Sequence, residues 1–177
     1  MKRLALLLML LPLIGGCGYM IAETLTPRYE GPKTSQTAKV FFFNNSPRVL
    51  YAYTYDKAED CSGLRGMWNQ FYSLPAHKPS EFFVFDAGNP ISFNLRIETQ
   101  LGGAVDYCEA TFTRQLEVAH SYAFELREAP KGCGLYVYDI TQTTDTIQPE
   151  SLLMPVWKRQ KRVPMTSAGS FCVEEVG

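Results

Sequence analysis

The stretch of sequence that decides the fold is ISFNLRIE, residues 91–98. Its apolar and polar residues alternate: Ile91, Phe93, Leu95 and Ile97 against Ser92, Asn94, Arg96 and Glu98. Alternation with a period of two is typical of a β-strand that buries one face and leaves the other in water. Turn-forming residues bound the stretch on both sides, Asn-Pro at 89–90 and Gly-Gly at 102–103. The stretch therefore predicts one strand of an antiparallel sheet.

Short segments of the same kind recur along the chain, with turn residues between them. They cover residues 40–43, 49–55, 81–85, 105–113, 122–127 and 135–140, and the aromatic-rich residues 67–74 predict one more. The first two flank the turn residues Asn-Asn-Ser-Pro and predict a β-hairpin. About seven to eight short strands without a long amphipathic helix predict an all-β fold, an antiparallel β-sandwich stapled by disulfides. A small barrel is the alternative.

Three tyrosines share one face of the segment at residues 49–55, because Tyr51, Tyr53 and Tyr55 occupy alternate positions. Such a row of rings packs in a core or covers a sheet, and the alternative is a platform for carbohydrate or peptide. Exposed aromatic residues are typical of partner-binding surfaces. The residues that we expect on such a surface are Tyr51, Tyr53, Trp68, Phe71 and Tyr72.

The amino terminus has the composition of a secretory signal peptide. Lys2 and Arg3 precede an apolar run at residues 4–14, and the small residues Gly15 and Gly16 follow it. As a helix the run would be roughly 16 Å long, whereas the hydrocarbon core of a bilayer is roughly 30 Å thick. The run is therefore too short to span a membrane.

The residues LIGGC at positions 13–17 resemble a bacterial lipobox. The resemblance implies cleavage before Cys17 and attachment of diacylglycerol to its sulfur; the alternative is an ordinary signal peptide with an unmodified Cys17. Gly18 stands where inner-membrane lipoproteins of this type carry aspartate, which implies delivery to the outer membrane, facing the periplasm. We therefore expect a cleaved signal peptide at 1–16, a lipidated cysteine and flexible tether at 17–37, and one β-sandwich domain with a carboxyl-terminal tail at 38–177.

The other four cysteines would then lie in a compartment that permits disulfides. They are Cys61, Cys108, Cys133 and Cys172. Four cysteines allow three pairings, and the sequence does not choose among them. Our working expectation joins Cys61 to Cys108 and Cys133 to Cys172, with Cys61 in an exposed polar loop at residues 56–65. The lack of any Cys-x-x-Cys pair argues against a metal site.

The charge of the chain is nearly balanced, with 17 basic and 18 acidic residues. Loss of Lys2 and Arg3 with the signal peptide brings the net charge to about −3, which argues against a nucleic-acid partner. The basic run at residues 158–162 is the local exception. We expect it to be a solvated tail segment rather than a contact for phosphate or lipid head groups.

A second resemblance covers about 30 residues and concerns the fold. The region resembles small bacterial lipoproteins with immunoglobulin-like or transthyretin-like sandwiches. The residues that carry the resemblance are Cys108, Phe112, His120, Tyr122, Cys133, Val137 and Asp139. Ala119 departs from that pattern, since glycine is common there. Tyr122 suits a tyrosine-corner role, in which its hydroxyl bonds back to the backbone at the entry of a strand.

Catalytic patterns are scarce in the chain. Its two histidines are His77, in a proline-flanked turn, and His120, just before a predicted strand, where we expect a turn role. No nucleophile elbow, phosphate loop or His-Glu-x-x-His pair occurs. We therefore expect a non-enzymatic envelope lipoprotein without cofactor, held to the membrane by lipid and presenting a structural or protein-binding module to an envelope protein. The alternative is a binder or inhibitor of a small ligand, a sugar or an envelope hydrolase.

Overall fold

The computed structural model describes residues 26–68, 73–101, 104–129, 132–142, 157–161 and 172–174. The described residues form ten strands and no helix, so none of them belongs to a helix that could cross a membrane. The strands are β1 (Thr37–Asn44), β2 (Val49–Lys57), β3 (Ser62–Gly66), β4 (Lys78–Asp86), β5 (Pro90–Leu101), β6 (Ala104–Gln115), β7 (Ser121–Ala129), β8 (Gly132–Asp139), β9 (Trp157–Lys161) and β10 (Cys172–Glu174). The expected signal peptide and Cys17 lie outside the described residues.

The strands form two sheets, which confirms the predicted all-β sandwich with disulfides. One sheet has the order β4-β1-β7-β8, and the other has the order β10-β9-β6-β5-β2-β3. Neighbouring strands are antiparallel except for β1 and β7, which run parallel. Two expectations need correction: β3 lies in the predicted loop at 56–65, and β9 pairs with β6 where a solvated tail was expected.

The predicted hairpin between the first two strands is wrong, because β1 and β2 belong to different sheets. The amide NH2 of Asn44 donates to the carbonyl oxygen of Arg48 at 2.8 Å. It also donates to the carbonyl oxygens of Leu74 and Pro75, at 3.0 and 2.9 Å. The Asn44 carbonyl oxygen accepts the N–H of Ser46. These bonds satisfy a fully buried side chain and direct the chain across the core to the other sheet.

Phenylalanine rings fill the space between the sheets. Phe124 of β7 packs against Phe42, Phe93 and Phe112, with ring centroids 6.0, 5.0 and 5.2 Å apart. All four rings are fully buried. Because truncation of one such ring typically costs about 3–5 kcal/mol, this cluster largely determines how the sheets stack.

The residues before β1 cross the edge of the sandwich between β3 and β4. The N–H of Tyr29 donates to the carbonyl of Gly66, and the N–H of Gly66 donates to the carbonyl of Pro27, both at 2.9 Å. The Tyr29 hydroxyl donates to the carbonyl of Val84 at 2.9 Å, and its ring stacks on Phe85 at 4.6 Å. We call residues 27–34 the strap.

Asp86, at the end of β4, holds the far end of the strap. Its carboxylate accepts the N–H groups of Lys33 and Thr34, at 3.0 and 2.8 Å, and the Thr34 hydroxyl at 2.8 Å. Burial would raise the pKa of Asp86, but these hydrogen bonds outweigh it and hold the pKa below its usual range. The flexible tether expected at residues 17–37 is therefore too long, because the chain is bound to the domain from Pro27 onward.

All four expected cysteines form disulfides, but the working pairing is wrong. Cys108 joins Cys133, and Cys61 joins Cys172. The first bridge ties β6 of one sheet to β8 of the other. The second ties the β2–β3 turn to β10, which stands at the opposite end of the six-stranded sheet. The expected pairing failed because the stacking of the sheets and the fold of the β2–β3 turn decide which cysteines meet. The spacing of cysteines along the sequence carries no information on either.

Candidate functional site

The outer face of the four-stranded sheet carries a row of large apolar side chains. We call this surface the aromatic face, and it consists of Phe41 and Phe43 of β1, Phe82 and Val84 of β4, and Tyr136 and Tyr138 of β8. Phe82 is 50% exposed and Val84 is 37% exposed. Phe41 stands opposite Phe82 in the ladder, with ring centroids 5.5 Å apart. The most exposed apolar residues of the face therefore lie on its β4 side.

The sequence places apolar residues on both faces of these two strands. In β1 the ring of Phe42 points into the core, so Phe41 and Phe43 on either side point outward. In β4 Phe83 and Phe85 point inward, and Phe82 and Val84 point outward. A run such as FFF or FFVF does not alternate with polar residues. Such runs are expected where both faces of a strand are covered.

An ion pair between a buried carboxylate and a partly exposed arginine supports the centre of the aromatic face. Glu125 of β7 is 3% exposed, and both of its oxygens accept hydrogen bonds from Arg127, at 2.8 and 2.7 Å. These bonds raise the pKa of Arg127. The guanidinium lies 4.4 Å from the ring centroid of Tyr136, and the Tyr138 hydroxyl donates to Glu125 at 3.4 Å. The carboxylate is thus satisfied beneath the rings and does not interrupt the apolar surface.

Lys39 adds a positive charge at the edge of the aromatic face. It is exposed and stands opposite Val84 in the ladder between β1 and β4. Its ammonium nitrogen lies 6.0 Å from the ring centroid of Phe82. The exposed part of the face therefore combines aromatic rings with a cation.

The outer face of the six-stranded sheet has a different character. We call it the polar face, and its side chains are Tyr51, Tyr53, Tyr55, Ser92, Asn94, Arg96, Glu109, Thr111 and Thr113. The alternation at residues 91–98 predicted that this face would be wet, and that prediction is wrong. Ser92 is 0% exposed and Asn94 is 2% exposed. Hydrogen bonds within the face satisfy them: the Ser92 and Thr113 hydroxyls lie 2.6 Å apart, and the Asn94 amide donates to Glu109 and Thr111 at 2.8 Å.

The β2–β3 turn covers one end of the polar face. The Ser92 hydroxyl donates to the carbonyl of Ala58 in this turn at 2.7 Å. Cys61 in the same turn is bonded to Cys172, and the two cysteines form a buried hydrophobic cluster with Tyr55. Burial raises the pKa of Tyr55, and the charge of Glu109 raises it further. The turn and its disulfide act as a lid that removes this end of the face from solvent.

The residues expected on a partner surface do not come together as one patch. Tyr51 and Tyr53 lie half-buried on the polar face, where the Arg96 guanidinium carbon is 5.4 Å from the Tyr51 ring centroid. Trp68 packs against the core, edge-on to Phe42 and Phe83 at 5.7 and 5.8 Å. The last two expected residues, at positions 71 and 72, lie outside the described residues. The aromatic face was not among the expected sites, although the FFF run was its signal.

His120 lies at the end of the sandwich, between two carboxylates. Its Nδ1 is 2.6 Å from an Asp139 oxygen, and its Nε2 is 3.6 Å from a Glu117 oxygen. Burial would raise the pKa of Asp139, but hydrogen bonds from Thr141 and His120 outweigh it and lower that pKa. The His120 N–H donates to the carbonyl of Glu117 at 3.2 Å. These contacts agree with the expected turn role for His120.

The same turn contains the expected tyrosine corner. The hydroxyl of the fully buried Tyr122 accepts the N–H of Glu117 at 3.0 Å, which confirms the prediction. Ala119, which stands where the resembling proteins usually have glycine, has a φ of 65°, the left-handed conformation that favours glycine. A cleft of about 500 Å³ lies beside the turn, lined by Gly88 and residues 113–118. The described residues contain no group of three acidic, histidine or cysteine side chains arranged to hold a metal ion.

Comparison with protein-family models and with curated proteins finds no match for this chain. The two resemblances noted in the sequence therefore remain expectations.

Proposed function

We propose that this protein is a non-enzymatic, lipid-anchored protein of the bacterial envelope that works by docking its β-sandwich through the aromatic face. The observation that carries the proposal is the exposure of Phe82 and Val84 beside Phe41 and Phe43, because contiguous apolar surface on a soluble domain is typical of a contact site. The aromatic face replaces the surface expected from Tyr51, Tyr53 and Trp68.

The anchor part of the proposal rests on the lipobox resemblance at Cys17. Lipid on that sulfur would hold the domain at the membrane, and Gly18 favours the outer membrane with the domain facing the periplasm. Labelling of cells with radioactive palmitate tests this directly. We expect label in the wild-type chain and none in Cys17→Ala, and label that survives the substitution would contradict the lipid anchor.

The docking part can be tested by thiol accessibility with a matched control. Phe82 and Val118 are equally exposed in the isolated domain, at 50% and 47%, but Val118 lies beside the cleft and not on the aromatic face. Phe82→Cys and Val118→Cys variants are labelled with a polar maleimide, first in native membranes and then in detergent. We expect membranes to protect position 82 several-fold and to leave position 118 unprotected. Equal labelling at both positions would contradict docking through the aromatic face.

A further inference from the structure

We propose that the aromatic face docks on the lipid bilayer to which the protein is anchored. This inference rests on the proposed function, since it takes the lipid on Cys17 as given. In this arrangement the β4 side of the face, with Phe82, Val84 and Lys39, lies at the membrane interface.

The chain between the lipid and the domain is short. Pro27 is already hydrogen-bonded to Gly66, so at most residues 18–26 separate Cys17 from the strap. Nine residue steps reach at most about 30 Å when fully extended, and a flexible chain of that length spans about 17 Å on average. A domain of about 140 residues has a radius of gyration near 14 Å. The average span of the linker is therefore comparable to the radius of the domain, so the linker would hold the domain against the membrane surface.

The strap brings the linker to the edge of the sandwich between β3 and β4. Tyr29 lies three residues after Thr26, and its hydroxyl is bonded to the carbonyl of Val84, on the edge strand of the face. Its ring stacks on Phe85, the next residue of β4. Three residues span at most about 10 Å. The linker therefore leaves the domain at the edge between β3 and β4, and β4 is the strand that carries Phe82 and Val84.

The chemistry of this edge suits a phospholipid surface. Aromatic rings and aliphatic side chains enter the boundary between head groups and acyl chains, and a neighbouring lysine can extend its ammonium to anionic head groups. Phe82 and Val84 provide the apolar groups, and the exposed Lys39 stands opposite Val84. The acidic residue beneath the face, Glu125, is buried and paired with Arg127, so it does not oppose contact with anionic lipid.

Depth-dependent quenching by brominated phospholipids tests the inference without relying on lipidation in cells. The mature chain from Cys17 has one cysteine outside the two disulfides, so it can be coupled through Cys17 to a maleimide lipid in vesicles of phosphatidylethanolamine and phosphatidylglycerol. Phe82→Trp places a probe on the face, and Val118→Trp is the control at equal exposure. The fluorescence of the native Trp68 and Trp157, measured in the parent chain, is subtracted from both. Thermal unfolding verifies that each variant is folded, with Val84→Trp as the substitute probe if Phe82→Trp is not.

We expect brominated lipid to quench the probe at position 82 at least twofold more than the probe at position 118. We also expect Lys39→Glu to reduce that quenching, and Lys57→Glu, an exposed lysine of the other sheet, to leave it unchanged. Equal quenching at the two positions would overturn the inference, as would no quenching at position 82. If palmitate labelling fails in cells while position 82 is quenched, the anchor is wrong and the lipid-seeking face stands. If palmitate labels the chain in cells but position 82 is not quenched, the anchor stands and the contact of the face with lipid is wrong. Thiol protection at position 82 would then indicate a protein partner.

Discussion

The outer faces of the two sheets differ in a way that residue polarity alone does not suggest. The outer face of the six-stranded sheet carries hydroxyl, amide and charged side chains, yet Ser92 and Asn94 are almost completely buried. The outer face of the four-stranded sheet carries phenylalanine rings, yet Phe82 is half-exposed. A turn and a disulfide cover one end of the polar face, whereas the β4 side of the aromatic face remains open. The open apolar face is therefore the better candidate for function.

The largest expected effect comes from removing the disulfide that covers one end of the polar face. In the chain-entropy description, a bridge closing 111 residues stabilises the fold by about 5 kcal/mol, and one closing 25 residues by about 3.5 kcal/mol. Urea unfolding should therefore show a greater loss for Cys61→Ala/Cys172→Ala than for Cys108→Ala/Cys133→Ala. The reverse order would mean that the lid on the polar face contributes little to stability.

A pair of single substitutions compares the two faces directly. Asn94→Ala removes the donor to Glu109 and Thr111 inside the polar face, so we expect a loss of about 1–3 kcal/mol. Phe82→Ser should change the free energy of unfolding by less than about 0.5 kcal/mol, because half of that ring is already in water. Chemical denaturation measures both. Similar losses for the two variants would show that the aromatic face is also part of the packed structure.

Removing single tyrosine hydroxyls should have smaller effects on stability. Tyr122→Phe removes the acceptor of the Glu117 N–H at the entry of β7, and should lower stability by about 1 kcal/mol. Tyr136→Phe, on the aromatic face, is the matched control and should be nearly neutral. Differential scanning calorimetry distinguishes the two variants. An unchanged melting temperature for Tyr122→Phe would remove the tyrosine-corner assignment.

The smallest expected effect is local and concerns the strap at the edge between β3 and β4. The pKa of Asp86 is lowered in the folded state, so its stabilisation is present above the unfolded pKa of about 3.9 and is lost as pH falls through the lower folded value. Amide proton shifts of Lys33 and Thr34, measured by NMR, should titrate with a midpoint below about 3.9. They should not titrate in Asp86→Ala. A midpoint at or above the ordinary value would show that Asp86 does not hold the strap.

The sequence predicted the sheets better than it predicted their surroundings. Alternation at residues 91–98 identified β5 because a strand's own side chains set a period of two. It could not show that the polar side of β5 is buried, because that depends on the lid formed by Ala58 and Cys61. The predicted hairpin failed for a similar reason, since Asn44 is bonded to residues 30 and 31 positions along the chain. Contacts between distant residues leave no periodic signal.

The candidate site was missed for a related reason. Aromatic residues in isolation suggested a surface, and the structure places Trp68 against the core instead. The continuous runs at residues 41–43 and 82–85 contained the useful information, because a strand with one wet face should not be apolar at every position. Which of the rings point outward follows only from the register between β1 and β4.

Photocrosslinking in intact cells tests docking of the aromatic face on the membrane, because it compares the two faces in their native surroundings. Benzoylphenylalanine is placed at Phe82 on the aromatic face or at Tyr53 on the polar face, and the adducts are identified by mass spectrometry. Docking through the aromatic face predicts phospholipid adducts from position 82 and adducts only within the chain from position 53. Adducts with outside molecules from position 53, together with none from position 82, would contradict it.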